Sequence, residues 1–244
     1  MIKNFYFSKK YMYKRILLKL SGEALASKDG SSIGKEQLEH YCNEIADAYS
    51  MGVQVAIVIG GGNIFRGIQG INSGFSRLQG DYMGMMATVI NSLALQEMLL
   101  QYKISSKILS AVAIDEICEK FYFRNAIQLL EQNKVIILSA GTGNPLFTTD
   151  SAAALRAIEI GADVLLKGTK VDGVYTDDPF TNPNAKKYEN ISYDEAFAKK
   201  LKVLDLTAYT LCMENKLPII VYDATKKGNL KKLLNGEKIG TLIS

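Results

Sequence analysis

Three basic residues lie where apolar runs give way to glycine: Lys19 in KLSG, Arg66 in GGGNIFRG and Lys167 in LLKGT. A lysine that points inward from such a run is costly unless it meets an anion. Close to these cations are stretches that can present bare main-chain N–H groups: Ser21-Gly22, Gly60-Gly61-Gly62, Gly141-Thr142-Gly143 and Gly168-Thr169. A glycine bend leading into a helix N-terminus favours an anionic guest, most often phosphate. Each feature also has a plain explanation. Glycine bends serve ordinary strand-to-helix turns, Lys19 and Lys167 could face solvent, and Arg66 could pair with a nearby carboxylate. The repetition points to chemistry. Two glycine turns at one sheet edge can hold two anionic groups face to face, as needed to move a phosphoryl group between two phosphate-bearing molecules. Such transfer needs alignment and charge neutralisation more than covalent help from the protein.

The carboxylates beside these motifs are Asp81, Asp150, Asp178 and Asp205. Each could cap a helix; beside phosphate, each could also bond a ribose hydroxyl, hold a lysine or orient Mg²⁺. No acid pair and no hydroxyl with a partnering base stands out, which disfavours hydrolysis through a covalent intermediate. There is no GxxxxGK[ST], so the P-loop is excluded. No GxGxxG follows a strand, which weakens a dinucleotide dehydrogenase. His40 is the sole histidine, so neither histidine catalysis nor a histidine-rich metal site is expected. Cys42, Cys118 and Cys212 form no CxxC and read as buried or idle thiols in a reducing cytoplasm.

The elements that must position these residues follow from the apolar pattern. Residues 14–20, 53–59, 135–139 and 163–167 are strand-length apolar runs, with shorter candidates at 107–112, 218–222 and 241–243. Helical spacing covers 36–50, where Leu38, Tyr41, Cys42, Ile45 and Tyr49 share a face and Gly52 follows as a stop signal. Further helices are expected over 81–101, 123–133, 151–160, 192–200, 206–215 and 229–234. Asp81 is placed at or near the cap of the first of these, and Asp205 caps 206–215. Ser192-Tyr193-Asp194-Glu195 has the capping-box pattern. Met83, Met85, Met86 and Met98 read as core or subunit interface. Residues 67–80 read as a mobile loop and 172–187 as a loop dense in turn residues.

Apolar strands alternating with helices predict an α/β fold, a mostly parallel sheet covered on both faces. The polar motifs all fall at the carboxyl ends of its strands, where ligands bind in such sheets. The 244 residues suffice for one large unit, and no linker divides them. Hydrophobic residues at 48% and charged residues at 22% are ordinary for a globular chain. A net charge of +4 fits an enzyme that handles anions and does not by itself point to nucleic acid. No apolar run is long enough to span a bilayer. The segment MIKNFYFSKKYMYKR lacks a signal peptide's apolar core and reads as a basic arm.

Together the motifs resemble one family. KLSGEAL at 19–25, VIGGGNIFRG at 58–67, GDYMGMMAT at 80–88, SAGTGNPLFTTDSAA at 139–153, KGTKVDGVYTDDP at 167–179 and VLDLTAYTL at 203–211 are similar, in order, to the bacterial uridylate (UMP) kinases of the amino-acid-kinase superfamily. The GTGNP and GDxMGM segments separate these from acetylglutamate, aspartate and carbamate kinases of the same fold. The resemblance implies a three-layer αβα sandwich over 13–244. Residues 13–165 would form its UMP-binding half and 166–244 its ATP-binding half, with 1–12 as an N-terminal arm.

It also implies a cytoplasmic homohexamer that converts ATP and UMP to ADP and UDP, with Mg²⁺ carried by ATP and no metal held by the protein. Lys19, Leu20, Ser21 and Gly22 would line the ATP phosphates, with Lys19 stabilising the charge in transfer. Gly62, Thr169, Tyr175 and Asp178 would contact ATP, and Arg66 would reach the phosphates. Gly61 would touch UMP and Asp81 its ribose. Thr142, Gly143, Asn144, Pro145, Leu146, Phe147, Thr148 and Thr149 would wrap the UMP phosphate and uracil. Lys167 and Asp205 would support the phosphates and the catalytic lysine.

The resemblance brings UTP as an inhibitor at the UMP site and GTP as the activator of many relatives. The loop at 27–32 departs from the glycine-phenylalanine-glycine pattern of GTP-activated relatives, which counts against GTP. Two other readings stay open: a superfamily kinase with a carboxylate or carbamate acceptor, and a nucleotide-sensing binding protein such as a regulator of transcription; a nucleic-acid partner for the basic arm is not expected, since a few basic residues usually form a solvated tail.

Overall fold

The computed structural model describes residues 11–27, 29–66, 74–201 and 203–244. The strands, in chain order, are β1 Arg15–Leu20, β2 Gln54–Ile59, β3 Ser106–Ser110, β4 Glu119–Lys120, β5 Val135–Ser139, β6 Val164–Thr169, β7 Asn190–Ile191, β8 Ile219–Asp223 and β9 Thr241–Ile243. The helices are α1 Lys35–Ser50, α2 Arg77–Gln101, α3 Phe123–Glu131, α4 Thr149–Glu159, α5 Tyr193–Ala198, α6 Leu206–Glu214 and α7 Asn229–Leu234. A short 3₁₀ turn covers Gly22–Ala24.

The strands form one nine-stranded sheet in the order β4-β3-β5-β2-β1-β6-β8-β9-β7. Every described pairing is parallel except β8 with β9. The central strands are apolar on both faces because both faces are covered. Ile16, Leu18 and Leu20 of β1 join one core with α1, the later turns of α2, and α7. Leu17 joins the other, with α3, α4, α5 and α6. The three αβα layers expected from the sequence are present. By the same alternation, Lys19 and Lys167 fall on the Leu17 face, toward α4 and α6.

The structure departs from the sequence reading in four places. Asp81 does not cap its helix: α2 begins at Arg77, and Ser76 Oγ accepts from Gln79 N at 3.2 Å. Residues 77–80 of the expected loop are therefore helical, and 67–73 lie outside the described residues. Thr149 and Asp150 open α4 rather than precede it, because Thr148 is its cap and accepts from the N–H groups of Asp150 and Ser151. The two-residue strands β4 and β7 leave too short a pattern to read from sequence. Lastly, α2 has a mean hydropathy of 1.3 over an 18-residue window, so by length and composition it could cross a membrane. Half of that window is buried, as in the core helix of a globular domain.

The carboxyl ends of β1 and β2 meet without room for a side chain. A Cβ on Gly22 would lie 2.5 Å from the Gly60 carbonyl oxygen and 2.7 Å from Gly62 N. Gly22→Ala is expected to cost about 1–3 kcal/mol by overpacking. In thermal unfolding the melting temperature then falls by several degrees, and an unchanged value would mean the turns can part.

Candidate active site

β1 and β6 are adjacent and parallel, and their register sets Lys19 opposite Lys167. Both side chains rise on the face covered by α4, whose first turn brings Asp150 down between them. Lys19 Nζ lies 2.6 Å from Asp150 Oδ1, and Lys167 Nζ 2.7 Å from Oδ2. The three side chains are only 13%, 17% and 15% exposed. Lys167 also donates to the Val203 carbonyl. Burial acts to raise the Asp150 carboxyl, but the two ammonium groups outweigh it and hold it below the ordinary carboxylate range. Burial lowers Lys167; Asp150 opposes that shift and Lys19 adds to it. Two ammonium groups share one carboxylate, so by formal charge the three side chains leave one positive charge in excess, a setting that favours an anion.

Asp205 caps α6, accepting from Ala208 N at 3.0 Å. It also accepts from Ser151 Oγ at 2.9 Å and from the Thr148 hydroxyl. It therefore joins the start of α6 to the start of α4, and its described partners do not include either lysine. Its charge also acts directly on Lys167, opposing the effect of burial, and its bonds to Thr148 and Ser151 steady the start of α4 that carries Asp150. Cys212 lies beneath the cluster, its thiol pushed up to about 12 by burial and then by the charges of Asp150 and Asp205. It remains an unreactive thiol.

The glycine turn after β2 is anchored by Gly60 N donating to the Leu20 carbonyl at 3.0 Å. A Cβ on Gly61 would come within 2.7 Å of the Gly84 carbonyl, so α2 lies directly on the turn. Arg66 is ion-paired with Glu23, and both are half-exposed.

The turn after β5 bends through positive φ at Ala140, Gly141, Gly143 and Leu146. Two side chains of α2 fix it. Thr88 Oγ1 accepts from Ala140 N at 2.7 Å, and Asp81 Oδ2 accepts from Leu146 N at 2.9 Å while Arg77 pairs with the same carboxylate. Behind it, buried Arg156 stacks 4.0 Å from the Phe121 ring centroid, pairs with Glu159 and reaches the Gly141 carbonyl at 3.4 Å.

These parts enclose three cavities. One of about 280 Å³ is lined by Gly61, Gly62, Arg66, Asp81, Thr142, Asn144, Phe147, Thr148 and Thr149. A second, also about 280 Å³, is lined by Lys19, Ser21, Glu23, Lys167 and Thr169. A third of about 730 Å³ is lined by Lys167, Thr169, Tyr175, Asp178 and Phe180. Lys167 and Thr169 are common to the last two.

Most of the expected residues are thus brought together in two groups, one around the first cavity and one, with Lys19 and Lys167, around the second and third. Gly143, Pro145 and Leu146 belong to the 140–149 turn without lining the first cavity. Leu20 points into the core, and Gly22 is closed off against Gly60. Gly62 and Arg66, expected to contact ATP, line the first cavity. Glu23 and Thr88 had no assigned role in the sequence reading, while Asp150, one of four carboxylates read as able to hold a lysine, holds two. The signal for Asp150 was its place beside Thr148 and Thr149 at a helix start.

A model of the amino acid kinase family matches residues 14–223. The chain is 55% identical to the uridylate kinase of Parabacteroides distasonis over 231 residues, 95% of this chain and 98% of that one. The chain belongs to the amino acid kinase family, among its uridylate kinases. It is also 55% identical to the uridylate kinase of Porphyromonas gingivalis, over 95% of this chain and 97% of the relative. Among solved structures, the UMP kinase from Bacillus anthracis superposes with a TM-score of 0.93 at 36% identity, covering 95% of this chain and 96% of that one. The Ureaplasma parvum UMP kinase gives 0.91 at 38%, covering 96% and 99%. Glycine turns at the carboxyl ends of a parallel sheet, facing each other across two lysines, are how this uridylate kinase chain builds its site.

Removing the carboxylate leaves two adjacent buried cations unpaired. Asp150→Asn is expected to destabilise the fold by about 3 kcal/mol in denaturant unfolding. Because the folded pKa of Asp150 is depressed, its contribution is complete above its unfolded value of ~3.9 and is lost as pH falls through the lower folded value. The parent's acid limb of stability is therefore steeper than the variant's. Matching limbs would remove Asp150 from that role.

Proposed function

We propose that the chain transfers the γ-phosphoryl group of ATP to UMP, giving ADP and UDP. The observation that carries this is the lysine–aspartate–lysine cluster: Lys167 walls the cavity shared with Thr169, Tyr175 and Asp178, and Asp150 directly follows Thr149 in the wall of the other cavity. In this reading UMP occupies the first, with Asp81 on its ribose and the main chain and hydroxyls of 142–149 on its phosphate and uracil. ATP lies along the other two cavities with its phosphates over Ser21, Lys19 and Lys167. The outgoing γ-phosphoryl group passes over Lys19, whose ammonium neutralises the charge spread over its equatorial oxygens. Asp150 holds Lys19 and Lys167 at a set spacing, so little reorganisation accompanies transfer. Two helix starts, α4 and α6, add partial positive charge on the same side.

Both oxygens of Asp150 are held by lysines and Asp205 by hydroxyls and an N–H, and the described residues offer no cluster of carboxylates for a metal. The donor set therefore does not fit a magnesium ion caged by the protein, and supports Mg²⁺ arriving on the ATP phosphates. UTP is assigned as an inhibitor at the UMP cavity, with GTP activation the weaker expectation given the 27–32 loop. A homohexamer is supported by Tyr82, Met86, Ile90 and Leu93, exposed at helical spacing along α2. Three buried free thiols fit a cytoplasmic location.

A coupled assay with MgATP is expected to give turnover with UMP well above that with CMP or dUMP. A site built to hydrogen-bond the uracil edge and the 2′-hydroxyl rejects analogues that leave its polar groups unpaired. Lys19→Ala is expected to lower kcat on the order of 10²–10³-fold while UMP still binds. Preference for an amino acid or carbamate acceptor would overturn the substrate assignment, and parental turnover in Lys19→Ala the role of the lysine.

A further inference from the structure

Asn91 is wholly buried on α2, in line with Ala87, Thr88 and Leu95 on the helix's inner face. A primary amide is stable there only when its donors and acceptor are met. Its Nδ2 donates to the Gly60 carbonyl at 2.8 Å and to Asn63 Oδ1 at 2.7 Å. Its Oδ1 accepts from Asn63 Nδ2 at 3.0 Å. Asn63 Nδ2 also donates to the Ser32 carbonyl at 2.7 Å. The two side chains form a reciprocal amide pair behind the first glycine turn.

The Gly60 carbonyl oxygen and Asn63 Oδ1 also close the space in which a side chain on Gly22 would stand. A Cβ on Gly22 would lie 2.5 Å from the Gly60 carbonyl oxygen and 2.6 Å from Asn63 Oδ1. The pair therefore stands against the turn that follows Lys19, Leu20 and Ser21, while holding the turn that carries Gly61 and Gly62. Neither Asn63 nor Asn91 lines any of the three cavities. Apolar side chains of similar volume would fill the space but would not direct the Gly60 carbonyl or fix its distance from Gly22.

We propose that the Asn63–Asn91 amide pair is a positioning unit for phosphoryl transfer, setting the separation of the donor-side turn at 19–22 from the acceptor-side turn at 60–62. It acts through Gly60 and Gly22 and touches neither nucleotide. The inference rests on reading these two turns as nucleotide sites. In-line transfer is steeply sensitive to that separation: a shift of about 1 Å can cost ~10²-fold in rate.

The test uses Asn91→Leu, Asn63→Ala and the double variant of the full chain, with steady-state kinetics and UMP binding by titration. Each single variant is expected to lose on the order of 10–100-fold in kcat, with KM for both substrates and UMP affinity within about threefold. Because the two act as a unit, the double variant is no worse than the worse single one. A fourth variant, Asn63→Asp, retains the oxygen facing Asn91 Nδ2 but places a second oxygen where the donor was. Protonation restores that donor, so its kcat relative to the parent rises as pH is lowered from about 8 to about 6, for a carboxyl raised by the Ser32 and Asn91 oxygens it faces.

Folded variants with kcat within about twofold of the parent, losses confined to KM, losses that multiply in the double variant, or a flat Asn63→Asp ratio each overturn the proposal. If Asn91→Leu does not fold, the two Asn63 variants carry the test, since that side chain is only part-buried. A parent that makes no UDP fails the nucleotide reading instead. A parent that makes UDP while the folded variants match it fails this inference alone.

Discussion

Two lysine ammonium groups on neighbouring strands share a single carboxylate, and the rest of the molecule is arranged around that balance. Neighbouring strands are about 4.8 Å apart. Two unit charges at about that distance repel by about 3 kcal/mol at an effective dielectric of ~20. Lys19 and Lys167 are in register on the same face, so the repulsion is built into the sheet. Asp150 relieves it only because α4 begins where it does. Thr148 caps that helix, and Asp205 ties the cap to the start of α6. The excess charge that remains makes the spot receptive to phosphate, so the same contacts that steady the sheet end also prepare it for an anion.

Around this charge the architecture is made of close backbone approaches. Gly22 against Gly60, Gly61 against α2 and Gly168 against Ala224 each leave no space for a side chain. These approaches bring main-chain N–H groups to a common rim. Directional side-chain bonds from α2 then hold the approaches at fixed distances: Asn91 to Gly60, Thr88 to Ala140, Asp81 to Leu146. One helix thus carries three of the bonds that shape both turns. Its exposed apolar stripe faces away from them, so association along that stripe would act on the helix that shapes the nucleotide rim.

The helix and strand pattern was legible because it depends on local periodicity: apolar runs at 53–59 and 135–139, helical spacing at 36–50, caps at Ser192 and Asp205. Glycines followed by polar residues marked the rim for the same reason. Less of the charge arrangement could be read. Arg66 stood open to either a phosphate or a carboxylate, and its pairing with Glu23 depends on two loops meeting. Asp205, assigned to the lysines, also accepts from the hydroxyls of α4, and its charge still favours the ammonium of Lys167. Asp81, judged a cap from its place before a helical pattern, lies inside α2 because Ser76 provides an earlier start.

By itself, then, the chain's order of residues determined which segments are strands and helices, where the backbone bends without side chains, and which family's motifs those bends spell. Each of these is a property of a few consecutive residues. Only the tertiary structure decided that Lys19, Asp150 and Lys167 form one ionic cluster and that Asn63 and Asn91 form one amide pair. The members of each group come from different elements, and Coulomb attraction and hydrogen bonding act over a few ångströms that only the folded sheet, its register and its covering helices can close.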